Sequence, residues 1–242
     1  MRALTLALFV PLAACGNGSS AEEVPGVAGK GTGDSRSFAV ADFARITQAG
    51  PDDVDVRVGS GFSVRAEGNE KALAKLRIAR DGDMLRIERE RGSGLNWNNG
   101  GKVKVYVTMP RITALSLTGA GDATIDRVEG ASFDGEIAGA GDMSIGTMAV
   151  EAATFSIVGA GNLTASGTAT TLKASTTGAG DIDASGLTAK SATVDTTGAG
   201  NVRAVVDGTA KVSVMGAGDV DLGPKARCTV SKMGPGEVTC GG

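Results

Sequence analysis

Asp122, Asp142, Asp181 and Asp219 each follow a Gly-Ala-Gly triplet, and Asn162 and Asn201 take the same place in two further copies. Carboxylates repeated in this way could stack into a column, and such a column would suit calcium or paired-acid chemistry. The calcium-binding β-roll, however, is a nonapeptide repeat with aspartates at fixed places, and that spacing is absent here. Calcium takes six to eight oxygens, while the two asparagines interrupt the column. Two unit charges about 5 Å apart in water repel by roughly 0.8 kcal/mol, so the amides relieve the repulsion without a cation. No metal is expected.

Other chemistries are poorly supplied. The chain of 242 residues has no histidine, which removes the commonest general base and metal ligand together. A formal charge of −3 argues against a nucleic-acid partner, which wants a basic stripe. Gly-Ala-Gly leads into a strand, whereas a phosphate or dinucleotide loop needs a helix N-terminus; no cofactor is expected. An ice-binding threonine array fails because Ala138, Val158 and Met215 share the column of Thr118, Thr177 and Thr197. A carbohydrate-active β-helix enzyme would need a cleft walled by long loops with paired carboxylates. Connections of no more than about six residues are too short for that. Asp126, Arg127 and Glu129 read as a solvated rim, leaving catalysis the lesser alternative.

The triplets themselves define the elements. Their opening glycines, Gly119, Gly139, Gly159, Gly178, Gly198, Gly216 and Gly234, lie 20, 20, 19, 20, 18 and 18 residues apart. A fixed period with strand-like alternation inside it is the signature of a β-solenoid. Aligned on that glycine, Leu117, Ile137, Ile157, Thr176, Thr196 and Val214 form one inward column. A second runs Ala123, Met143, Leu163, Ile182, Val202 and Val220, and a third runs Ile125, Ile145, Ala165, Ala184, Ala204 and Leu222. Ser116, Glu136, Ser156, Ser175, Asp195 and Ser213 face out. At each corner the glycines Gly121, Gly141, Gly161, Gly180, Gly200 and Gly218 are expected, like the opening ones, to supply positive φ. The following Asp or Asn is expected to cap its own turn.

Before this repeat the strands are charged: Val54–Gly59, Phe62–Gly68, Met84–Glu90 and Lys102–Met109 alternate apolar with charged residues, as a sheet with one wet face does. Asp81-Gly82 signals a hairpin, and Asn69 caps a helical turn. Residues 91–101 form a loop carrying Trp97, a candidate ligand contact whose competing reading is a loop anchor folded on the sheet. The expected architecture is all-β: a right-handed parallel β-helix of about seven rungs of 18–20 residues, preceded by a small, mostly antiparallel β unit. The segments are a signal peptide at 1–15, a flexible linker at 16–37, the capping β unit at 38–110 and the solenoid at 111–242.

Met1–Cys15 has a positive n-region and an apolar run too short to span a bilayer. Its end, Leu12-Ala-Ala-Cys15, resembles the lipobox of bacterial lipoproteins. That resemblance implies cleavage before Cys15, a lipid on its sulfur and, with Gly16 next, an outer-membrane destination facing periplasm or cell surface. In an exported, oxidising compartment Cys228 and Cys240 read as a disulfide pair. They lie six residues before and six after the last corner, so bonding requires a flattened or folded-back last rung.

The pattern from Ile46 to Asp122, above all Met109-Pro-Arg-Ile-Thr-Ala-Leu-Ser-Leu-Thr-Gly-Ala-Gly-Asp122, resembles the bacterial family named for a putative auto-transporter adhesin head GIN domain, over about Phe38 to Val220. The resemblance implies an exported, often lipid-anchored β-helical protein and carries no catalytic residues. The expected function is a lipid-anchored envelope scaffold or adhesin-like binder of a protein or glycan. A structural alternative is homo-oligomerisation through the open last rung.

Overall fold

A computed structural model of the protein describes residues 24–90 and 101–241. The alternation of apolar and polar residues gives each segment one dry face, and the described residues are mostly strand. It runs β1 (Gly29–Lys30), β2 (Ser35–Phe38), β3 (Arg45–Gly50), β4 (Asp53–Val58), β5 (Ser63–Glu67), α1 (Glu70–Leu73), β6 (Leu76–Asp81), β7 (Met84–Arg89) and β8 (Lys104–Met109). It continues through β9 (Ala114–Gly119), β10 (Ala123–Gly139), β11 (Met143–Gly159), β12 (Leu163–Gly178), β13 (Ile182–Gly198), β14 (Val202–Gly216), β15 (Val220–Asp221), β16 (Arg227–Met233) and β17 (Val238–Thr239).

From β9 onward the strands stack in parallel with corner over corner. Gly119 lies opposite Gly139, Gly139 opposite Gly159, Gly159 opposite Gly178, Gly178 opposite Gly198 and Gly198 opposite Gly216. This is a parallel β-solenoid. The inward columns are dry: Leu117, Ile137, Ile157 and Val214 are buried, as are Met143, Leu163, Ile182, Val202, Ile125 and Ile145. Burying each branched side chain stabilises the fold by roughly 1.5–3 kcal/mol. Thr176 and Thr196 continue the first column, and their buried hydroxyls have no hydrogen-bond partner, each a cost of about 1–3 kcal/mol.

The winding begins earlier than Arg111. β3 and β4 pair in parallel with β9 and β10, and β7 and β8 pair in parallel beneath β3 and β4. Only the outer layer is antiparallel, with β6 on β7, β5 on β8, β2 on β5 and β1 on β2. Gly50-Pro51-Asp52-Asp53 forms the first corner of the stack, with Gly50 opposite Gly119. The change in sequence at Arg111 therefore marks where the Gly-Ala-Gly repeat starts, not where the stacked sheet starts. The linker expected at 16–37 also needs correction, because its later part is docked. The Val27 N–H donates to Ile78 O at 2.7 Å, Gly26 bridges Ala79, and Arg77 bonds the Val24 carbonyl. The cause is the unsatisfied edge of β6, which this segment covers.

Asp52, only 1% exposed, fixes the lower end. Its carboxylate accepts from Arg89 Nε at 2.8 Å and from the Val103 N–H at 2.9 Å. The hydrogen bond to Asp52 holds the Arg89 pKa above its ordinary value. The other end is closed covalently by the Cys228–Cys240 disulfide, with the two Cα atoms 6.2 Å apart. The last rung thus brings its two strands together, which its inward columns permit because Cys228 stacks on the small Ala210.

Two stability outcomes follow from these ends. Asp52→Ala strands a half-buried guanidinium and a buried N–H, so urea denaturation of the full chain should show a loss of about 3 kcal/mol. Cys228→Ser removes a cross-link between residues 12 apart in sequence, and should cost about 3 kcal/mol. A melting temperature unaffected by reductant in the native chain would contradict the second outcome.

Candidate functional site

The corners are the first place to look, since the sequence puts all the repeated acids there. Only the opening glycines adopt positive φ, from +117° at Gly198 to +142° at Gly139. The second glycines, Gly121, Gly141, Gly161, Gly180, Gly200 and Gly218, do not, which corrects the expectation that both require it. They are held by close approach instead. A Cβ on any of these six would sit 2.0–2.3 Å from a backbone carbonyl oxygen of the rung below. The opening glycines meet the same obstacle: at Gly139 and Gly159 a Cβ would lie 2.2 Å from the carbonyl oxygen beneath.

The acids do not cap their own turns either. Each side chain accepts from the backbone N–H of its counterpart one rung on: Asp122 from Asp142 at 3.0 Å, Asp142 from Asn162 at 2.9 Å, and Asp181 from Asn201 at 2.7 Å. Asn162 accepts from Asp181, Asn201 from Asp219 and Asp219 from Glu237 in the same way. Both asparagines also donate through Nδ2, to Asp142 at 3.0 Å and to Asp181 at 2.9 Å. Asp53 begins the ladder by accepting from the Asp122 N–H at 3.1 Å. Lys102 Nζ bridges Asp53 and Asp122 at 3.1 and 3.7 Å, and its hydrogen bond to Asp53 raises its pKa. With their oxygens turned to backbone donors, the acids form a structural seam. Among the described residues no cluster of histidine, cysteine, aspartate and glutamate could hold a metal ion.

A concave surface lies elsewhere. The pairing ladder skips Glu151 against Thr170 and Thr170 against Lys190. Immediately after this break a groove of about 450 Å³ opens along the solenoid axis. Its floor is Ala153, Leu172, Ala192 and Ala210, one residue per rung, all buried. One wall presents Ala152, Thr171, Ser191 and Thr209, and the other Thr154, Lys173, Thr193, Lys211 and Thr229. From the rung of Ala153 to that of Thr229 it crosses four rung spacings, about 19 Å.

No acidic side chain lines this groove, so the carboxylate pair that glycoside hydrolysis uses is missing from it. Neither Lys173 nor Lys211 enters an ion pair with a described residue. Residue-by-residue reading of the sequence missed these positions, although the signal exists: Lys173 and Lys211 both stand five residues before a corner glycine, in one outward column. Cys15 and Trp97 fall outside the described residues. Among the described residues no helix is long and apolar enough to cross a membrane.

Residues 42–224 match the family described as putative auto-transporter adhesin, head GIN domain. The chain belongs to this family. Solved structures show the same fold at low identity. An adhesin-titled protein of Bacteroides fragilis is 19% identical, with a TM-score of 0.77 over 87% of this chain and 98% of the other. A protein of Parabacteroides distasonis titled a putative lipid binding protein is 18% identical, with a TM-score of 0.68 over 88% and 98%. An adhesin-titled protein of Parabacteroides merdae is 16% identical, with a TM-score of 0.66 over 87% and 98%. Comparison with curated proteins gives no match. The head GIN chain is therefore an all-β solenoid whose family names a binding role and no reaction.

The seam of this head GIN domain gives two checks. Gly161→Ala must drive a methyl into the Gly141 carbonyl, and its cost in chemical denaturation should be about 3 kcal/mol or more. Asn162→Asp replaces a donor by a charge that joins Asp53, Asp122, Asp142 and Asp181 into an unbroken run of acids, and should cost about 1 kcal/mol. Added salt should recover part of that loss, whereas a calcium-dependent recovery would mark the seam as a cation site.

Proposed function

We propose that this protein is a lipid-anchored binding protein of the cell envelope, adhesin-like and without catalysis of its own, whose ligand lies in the groove over Ala153–Ala210. The groove is the observation that carries this reading: it is a hollow of about 450 Å³ built on paired strands, and no acidic side chain lines it. Family membership and the adhesin titles of similar folds support an exported binder. The lipid would be attached at Cys15 and direct the protein to the outer membrane, facing periplasm or cell surface. The segment before Val24 would then be the tether to the membrane.

A partner that is a second copy of the chain is less favoured by the last rung. β16 pairs only with β14, yet Lys232 occupies the column that Leu117, Ile137, Ile157 and Val214 fill below it. An inward-column charge, together with Pro235 at the corner, is how natural sheets discourage edge-to-edge pairing.

Ser191→Trp would fill the groove without touching the solenoid core. On a glycan array probed with the full chain in neutral detergent micelles, the native protein should retain at least one ligand that Ser191→Trp loses by about tenfold or more. Binding that is equal in both proteins would place the ligand elsewhere. Palmitate labelling that is lost in Cys15→Ser checks the anchor, and labelling that persists would contradict it.

A further inference from the structure

We propose that the groove's ligand is a linear acidic polysaccharide, lying along the solenoid axis with an acidic group on every second sugar; this rests on the groove being the binding site. The charge of the site points to an anion. The chain as a whole carries a net charge of −3, yet the groove contains two lysines and no acid. Neither Lys173 nor Lys211 forms an ion pair with a described residue, so an incoming anion need not displace a bonded internal partner.

The geometry points to a periodic polymer. Lys173 pairs in register with Thr193, and Thr193 with Lys211, so the two ammonium groups sit in one column two rungs apart, about 10 Å along the axis. The rung between them offers a hydroxyl at Thr193, and the opposite wall offers hydroxyls at Thr171, Ser191 and Thr209. The groove thus repeats cation, hydroxyl, cation on one side and hydroxyls on the other. A sugar ring in an extended chain advances by about one rung, so alternating acidic and neutral sugars meet alternating lysine and threonine. Ala153, Ala192 and Ala210 are buried in the core and leave no bulky side chain standing between the two walls.

An acidic peptide fits less well. The strands of β11 to β14 are hydrogen-bonded on both sides along the groove, leaving no free edge for an added strand. The floor has no pocket for a protruding side chain. Nucleic acid would need a broader basic surface than two lysines provide.

Hyaluronan, with one carboxylate on every second sugar, is the direct probe. Its binding to the full chain in neutral detergent micelles can be measured beside dextran, poly-glutamate and duplex DNA. The expected result is saturable hyaluronan binding, weakened about tenfold or more in the Lys173→Gln/Lys211→Gln double variant. Lys30→Gln/Lys71→Gln, an equal loss of two exposed charges outside the groove, should have no effect. Dextran, poly-glutamate and DNA should each bind at least tenfold more weakly than hyaluronan. Absent hyaluronan binding, or binding unchanged in the double variant, overturns the proposal. Equal binding of poly-glutamate or DNA also overturns it, by showing charge without polysaccharide selectivity. A neutral array ligand lost in Ser191→Trp but kept in the double lysine variant would leave the groove as the binding site and reject only the acidic class.

Discussion

Successive corners of this solenoid approach so closely that a carbonyl oxygen of one rung occupies the space a Cβ of the next would need. At Gly141 that hypothetical Cβ lies 2.0 Å from the Gly121 oxygen, and at Gly218 it lies 2.1 Å from the Gly200 oxygen. The contact demands glycine at two of every four corner positions, and it sets the rest of the architecture. With the corners locked in register, each Ala N–H reaches the glycine carbonyl beneath it, as Ala140 does to Gly119 and Ala160 to Gly139, both at 2.8 Å. The Asp and Asn side chains are then placed to bond across rungs. The seam supplies hydrogen bonding, while the columns behind it supply dry contact.

That division explains how a chain with so few aromatics holds a core. Side chains need not fill a wide interior, because the backbone layers themselves close it. Phe133 and Phe155 are fully buried, Phe38, Phe43 and three methionines join the core, and the rest of it is isoleucine, valine, leucine and alanine. Beside the breaks in the ladder at Glu151, Thr170 and Lys190 the surface dips between two walls that carry hydroxyls and the exposed Lys173 and Lys211. The inward columns are committed to stacking, which leaves the outward columns free to vary.

Much of this is legible in sequence, and the omissions have physical causes. The Gly-Ala-Gly period and the apolar columns around it announce the solenoid, since each inward position is repeated at constant distance from the corner. Gly50-Pro51-Asp52-Asp53 goes unseen because it lacks the second glycine and stands 69 residues before Gly119. Its Pro51 forms no corner hydrogen bond to a rung below. Spacing alone does not distinguish an acid that caps its own turn from one that bonds to the next rung, because both leave the carboxylate beside a corner N–H. The groove depends on where the strand breaks, at Glu151, Thr170 and Lys190, and those breaks carry no constant residue type. The docking of residues 24–37 arises from the open edges of β6, which residues 24–27 cover, and of β5, which β2 covers, a tertiary demand that a Gly- and Ser-rich segment does not display.

Amide hydrogen exchange at the corners tests the stacking most directly. If close backbone contact locks the rungs, the amides of Ala140, Ala160, Asp142 and Asn162 should exchange only through global unfolding, as slowly as those of the buried strands. Corner amides that exchange at the rate of exposed turns, while the neighbouring strands stay protected, would contradict this account.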